Sequence, residues 1–194
     1  DTMIGETINA PYAEKFTVSN VFSSDMVVQR GEHIRVWGFA DASENGRKVS
    51  GEFMGMFAEA LIENGAWTLT FGARLNACAE QGNSMRIYTD RTAFVFENVL
   101  VGDVFMVIGQ SNVAYSMAAY RTAVPEAERG GVGYDVPSTP IRLHYNSLMQ
   151  ETGVTRGTEE VCAELRNRET WKRADAAAVQ DFSALGYLFA AEYA

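Results

Sequence analysis

Histidine and cysteine are scarce in this 194-residue chain, two of each, and proline occurs only four times. Cys78 and Cys162 lie far apart and share no metal-binding spacing, so they read as two small buried or half-buried thiols rather than a disulfide framework. No cluster of His, Cys and carboxylates has the spacing of a metal site, and neither metal nor cofactor is expected. Long apolar runs are missing too: nothing approaches the roughly 20 residues that a membrane-spanning helix needs. The opening residues, DTMIGETINAPYAEKF, hold neither a basic nor an apolar leader, so no signal peptide is read in them. Positive charge is thin. Sixteen Lys and Arg against 25 Asp and Glu leave a formal net charge of −9, with the basic residues scattered, which argues against nucleic acid or an anionic membrane as partner.

What is present is ordinary globular composition, 47% hydrophobic and 21% charged, enough for one large domain or two small ones. The first half reads as short strands. HIRVWGFA sets Ile34 and Val36 against Arg35 and Trp37, the alternation of a half-buried strand. EALIENGAWTLTF holds two β-prone runs around Asn64-Gly65, a strong hairpin signal, with Trp67, Leu69 and Phe71 on one face. SMRIYTDRTAFVFENVL repeats the pattern around Asp90-Arg91. Strands at this spacing suggest an antiparallel sandwich over residues 16–100, after an N-terminal arm of residues 1–15.

The character changes at residue 101. VFMVI, residues 104–108, is the continuous apolar run of a strand covered on both faces in an α/β sheet, and IRLHYN suggests a second strand. DFSALGYLFAAEYA repeats Phe182, Leu185, Phe189 and Tyr193 at helical spacing behind Asp181 as N-cap. The expected fold is therefore an antiparallel β-sandwich followed by the start of an α/β domain over residues 101–194.

The chemistry concentrates where the apolar run ends, in Gly109-Gln110-Ser111-Asn112. A serine at the carboxyl end of a sheet strand sits where open α/β sheets place their ligands, and a helix over 113–120 would aim its first N–H groups back at it. Gly109 allows the tight turn. A serine hydroxyl needs a neighbouring base to become a nucleophile. His33 and His144 both read better as surface or structural residues, and neither belongs to an Asp-x-x-His spacing. The Gly-x-Ser-x-Gly elbow is excluded because position 113 is Val113, and no phosphate-binding loop motif occurs.

Five stretches, VFSSDMVVQR, HIRVWGFA, ENGAWTLTF, FENVLVGDVFMVIGQSN and DFSALGYLFAAEYA, resemble in that order the N-terminal half of sialate O-acetylesterase-like proteins. These belong to the serine hydrolases of the SGNH or GDSL type. The resemblance implies removal of acetyl groups from carbohydrates through an acyl-serine intermediate, with no metal and in a secreted or periplasmic setting. Ser111 falls on the family's nucleophile, its backbone N–H on an oxyanion donor, and Gln110, Asn112 and Gly109 on neighbouring positions that shape the site. Val113 stands where the family usually has Met. The family's other blocks, a glycine donor, an asparagine donor and an Asp-x-x-His pair, have no counterpart in this sequence. The expected partners are an acetylated carbohydrate and a further polypeptide, either the rest of the same protein or a second chain, that completes the site and covers apolar sheet edge and helix face. The alternative from another class is a non-catalytic carbohydrate-binding β-sandwich, or an inactive fragment, with Trp37 or Trp67 as an aromatic platform.

Overall fold

The computed structural model describes residues 2–4, 15–78, 82–129, 140–145 and 170–194. They form two compact units, one built on Asp1–Val104, to which Trp171 belongs, and one on Phe105–Tyr145 with Lys172–Ala194.

The described part of the first unit is mostly sheet, with one 3-10 turn at Ala42–Glu44. Its strands are β1 (Thr2–Ile4), β2 (Phe16–Val18), β3 (Val27–Gln29), β4 (His33–Ala40), β5 (Lys48–Phe53), β6 (Met56–Leu61), β7 (Ala66–Arg74), β8 (Met85–Tyr88), β9 (Ala93–Phe96) and β10 (Leu100–Gly102). A five-stranded sheet runs in the order β1-β9-β8-β5-β6, antiparallel except for the parallel β1–β9 pair. A three-stranded antiparallel sheet has the order β2-β4-β7, and β3 pairs with β10 in parallel. Alternation sets the faces. Ile34 and Val36 on β4, and Trp67, Leu69 and Phe71 on β7, point inward while Arg35, Trp37, Thr68 and Thr70 point out. They meet Val49, Phe53, Met85, Ile87, Phe94 and Phe96 in one core. Phe16 stacks on Trp67 with ring centroids 5.2 Å apart, and the Trp67 indole N–H donates to the Thr17 carbonyl at 3.1 Å. Trp67 is thus spent on the core and offers no outer platform.

Asn64 and Gly65 take positive φ, 53° and 75°, as a two-residue primed turn requires. The turn does not close the hairpin that the sequence suggests. β6 belongs to the five-stranded sheet and β7 to the three-stranded one, so Asn64-Gly65 passes the chain from one sheet to the other. Asp90-Arg91 does close a hairpin, between β8 and β9, with Thr89 N–H donating to the Thr92 carbonyl at 2.8 Å.

The second unit contains helices α1 (Ser111–Ala114), α2 (Met117–Ala123), α3 (Ala176–Asp181) and α4 (Ala184–Tyr193), and a short ladder of β11 (Arg142–Leu143) with β12 (Lys172–Arg173). Met117, Leu143, Ala174, Val179, Ala184 and Tyr187 form its core. Three expectations are corrected here. Residues 104–108 join no strand among the described residues, where no strand pairs with them. IRLHYN contributes only two ladder residues, and they pair antiparallel with β12. The last helix is capped by Ser183, whose side chain accepts from Gly186 N–H at 3.2 Å, while Asp181 ends the preceding helix instead. The chain is sheet-rich with few helices, and the parallel sheet expected after residue 101 is not present among its described residues.

Candidate functional site

The approach to Ser111 starts on a parallel pair. β3 and β10 align Val27 with Leu100, Val28 with Val101 and Gln29 with Gly102. Two of the stretches that carry the family resemblance, VVQR and VLVGDV, are therefore neighbours in space. Beyond the pair, Gln29 Oε1 accepts from Val104 N–H at 2.9 Å, and Arg30 Nε donates to Asp103 Oδ1 at 2.8 Å. These bonds hold residues 103 and 104, where the first unit's chain ends.

The apolar run then lies open. Val104, Phe105, Met106, Val107 and Ile108 are 40, 50, 85, 37 and 79% exposed, although five consecutive apolar residues call for burial on both faces. Within the second unit Phe105 packs edge-on against Phe189 and Tyr193, with centroids 5.0 and 4.9 Å away. Those two rings and Leu185 occupy one side of α4 and are themselves half exposed, whereas Ala184, Gly186 and Tyr187 face the core.

Gly109 brings the chain into α1. A Cβ there would come within 2.6 Å of Val113 Cγ2, so a side chain at 109 and a β-branched one at 113 exclude each other. The helix begins at Ser111 itself, with Gln110 as N-cap, rather than after it at 113. The Gln110 carbonyl accepts from the amides of Val113 and Ala114 at 2.9 and 3.2 Å. Among the described residues the amides of Ser111 and Asn112 and the side chains of Gln110, Ser111 and Asn112 make no hydrogen bond, and all three side chains are exposed. A break at Tyr115 follows, then α2, whose N-cap Ser116 accepts from Ala119 N–H at 3.2 Å. The break is pinned to the start of α4: Met117 N–H donates to the Phe182 carbonyl at 2.9 Å and Ala184 N–H to the Tyr115 carbonyl at 2.8 Å. Short as it is, α1 has a fixed base, since it packs on α4.

The structure brings Gly109, Gln110, Ser111 and Asn112 to one exposed turn and, among the described residues, gives the serine no base. His144 lies half-buried just past β11 in the same unit and does not bond to Ser111. His33 belongs to the other unit, where it starts β4 with its ring Nδ1 3.2 Å from the Phe71 carbonyl. Cys78 is a half-buried free thiol near Asn83, and Cys162 lies outside the described residues. Among the described residues no three His, Cys, Asp or Glu gather as metal ligands, and no helix is long and apolar enough to cross a membrane.

Sheet-rich scaffold and exposed serine turn together define a fold with a displayed hydroxyl and no complete catalytic set among the described residues. No family profile and no curated protein sequence matches the chain. Among solved structures it is similar to a carbohydrate acetylesterase from Xanthomonas citri, with a TM-score of 0.60 and 24% identity over 91% of this chain and 37% of that one. The likeness is one of fold, and the chain spans little more than a third of the length of that structure.

Proposed function

We propose that this chain carries the nucleophile segment of a serine esterase that removes O-acetyl groups from carbohydrates, in the manner of sialate O-acetylesterase-like SGNH hydrolases. The observation that carries the reading is the turn at residues 109–112. Ser111 stands at the start of a helix with its hydroxyl exposed and unbonded, and the adjacent free amides of Ser111 and Asn112 are the kind of donors a developing oxyanion needs. The five ordered stretches of resemblance and the fold of the Xanthomonas citri enzyme support it. In this reading the first unit is a β-sandwich and the second is the beginning of an α/β domain, and the protein acts in a secreted or periplasmic setting.

The reaction follows from the parts. Ser111 Oγ attacks the acetyl carbonyl while a base takes its proton, and the carbonyl oxygen becomes an oxyanion beside the free amides. Collapse expels the sugar hydroxyl, which takes the proton, and leaves acetyl-serine. Water, deprotonated by the same base, releases acetate and restores the serine. Base and orienting carboxylate come from polypeptide beyond the described residues, and the same polypeptide covers the apolar run at 104–108. Ser111→Ala in the natural protein abolishes acetate release from acetylated glycans and labelling by a fluorophosphonate. Unchanged turnover in that variant would sink the assignment.

A further inference from the structure

The face of the five-stranded sheet turned away from the core carries side chains that the core does not explain. Register puts Lys48, Ser50 and Glu52 of β5 on this face, opposite Leu61, Glu59 and Phe57 of β6. Ser50 and Glu52 also pair with Tyr88 and Arg86 of β8. Two of the cations on this face are ion-paired. Lys48 Nζ lies 2.9 Å from Glu59 Oε1, Arg47 meets Asp90, and the Tyr88 hydroxyl donates to Glu52 Oε1 at 2.7 Å. Three cations (Arg47, Lys48, Arg86) face three carboxylates (Glu52, Glu59, Asp90), so the face is neutral on a chain of net charge −9. At the Lys48 end of the face Arg47, Lys48, Ser50, Tyr88, Thr89 and Asp90 line an open depression, and Phe57 lies beyond it, opposite Glu52.

Two aromatic rings stand on this face. Arg86 covers one side of the Tyr88 ring at 4.4 Å from its centroid, a cation–π contact that fixes the ring's plane. Phe57 is 56% exposed and Leu61 52% exposed on the edge strand, where a solvated sheet face ordinarily carries polar groups. β6 and β8 flank β5, and Phe57 and Tyr88 are offset by two residues along it, which separates them by about 12 Å from strand spacing and rise. Paired charges leave no net field to draw in an ion. They offer alternating donors and acceptors between two apolar surfaces.

We propose that this outer face, with Tyr88 and Phe57 as its two apolar contacts and Lys48 and Glu59 as polar partners, binds a neutral oligosaccharide. Sugar rings present apolar C–H faces and a fringe of hydroxyls that both donate and accept, and the spacing of the two rings suits a chain of sugars rather than one. The site is separate from Ser111, so loss of binding here leaves the esterase reading untouched, and an inactive Ser111 leaves this site untouched.

The test is calorimetric titration of the purified chain with cellohexaose, xylohexaose and chitohexaose, each beside its monosaccharide, with 3′-sialyllactose as an anionic contrast. At least one hexasaccharide binds, its monosaccharide binds more weakly, and Tyr88→Ala and Phe57→Ser each weaken binding by roughly tenfold. Tyr88→Phe, which keeps the ring, retains it. Phe57→Ser alters an exposed residue and keeps the test valid should Tyr88→Ala fail to fold. Absence of binding to all three hexasaccharides, tighter binding of 3′-sialyllactose than of any of them, or binding undiminished in folded Tyr88→Ala and Phe57→Ser would overturn the proposal.

Discussion

At the scale of single residues, Gly109 is the most constrained position near the candidate nucleophile. A methyl group at 109 meets the Val113 side chain, whose branched Cβ has little rotamer freedom to withdraw. Gly109→Ala is expected to lower stability by about 1–3 kcal/mol, the usual cost of overpacking, and Val113→Ala in the same chain to recover most of it. Urea denaturation of the single and double variants measures both. An equal loss in the double variant would show that backbone conformation, not contact with Val113, requires glycine at 109. Asp90 makes a second residue-scale case. Its hydrogen bond from Arg47 holds its carboxyl below the ordinary carboxylate range, against the opposing effect of partial burial. A depressed folded-state pKa stabilises above the unfolded value, about 3.9, and that contribution disappears as the pH falls through the lower folded value. The advantage of the wild type over Asp90→Asn in thermal melts is therefore constant from pH 7 to about 5 and shrinks in acid. The Arg47 guanidinium is raised by the same bond and stays charged throughout, so it adds no pH dependence in this range.

At the scale of elements, the run at 104–108 shows why a strand cannot be read from one chain segment. Five apolar residues specify a segment that gains from burial on both faces, but a strand exists only when a neighbour takes its N–H and C=O groups. None of the described residues does so for 105–108. The side chains consequently stand in solvent, with Met106 85% and Ile108 79% exposed. Met106→Lys and Ile108→Lys should change the unfolding free energy of this chain, read from urea denaturation, by no more than about 0.5 kcal/mol, as substitutions of exposed residues do. They should also reduce binding of a dye that reports apolar surface. Clear destabilisation would mean that the run is packed in solution. On α4 the outcome is similar. The spacing of Leu185, Phe189 and Tyr193 correctly marks one apolar side, while the unit's own core takes the opposite side through Ala184 and Tyr187. The helix start moved from Asp181 to Ser183 because the chain turns sharply at Phe182 to follow α3, and the residue after such a break is the one placed to cap.

At the scale of the whole molecule, the chain consists of two compact units and spans 37% of the acetylesterase whose fold it shares. Under the proposed function, Ser111, which has no base among the described residues, supports only the weak catalysis that free amides and binding can supply. The purified 194-residue chain is expected to release acetate from 4-nitrophenyl acetate far more slowly than an esterase with a complete base and orienting carboxylate. Full turnover by the chain alone would show that it holds its own base, and would turn attention to His144.

Sequence and structure contributed at different ranges. Alternation along β4 and β7, the positive-φ turn at Asn64-Gly65, the hairpin at Asp90-Arg91 and the Gly109–Asn112 turn were all legible, because each depends on residues within a few positions of one another. Tertiary structure alone decided that β6 and β7 part into different sheets, that Gln29 and Arg30 grip residues 103 and 104 from more than seventy positions away, and that Phe57 and Tyr88 share one face. Those relations rest on hydrogen bonds and packing between distant segments, and a local pattern states only that such a partner is wanted, not which segment supplies it.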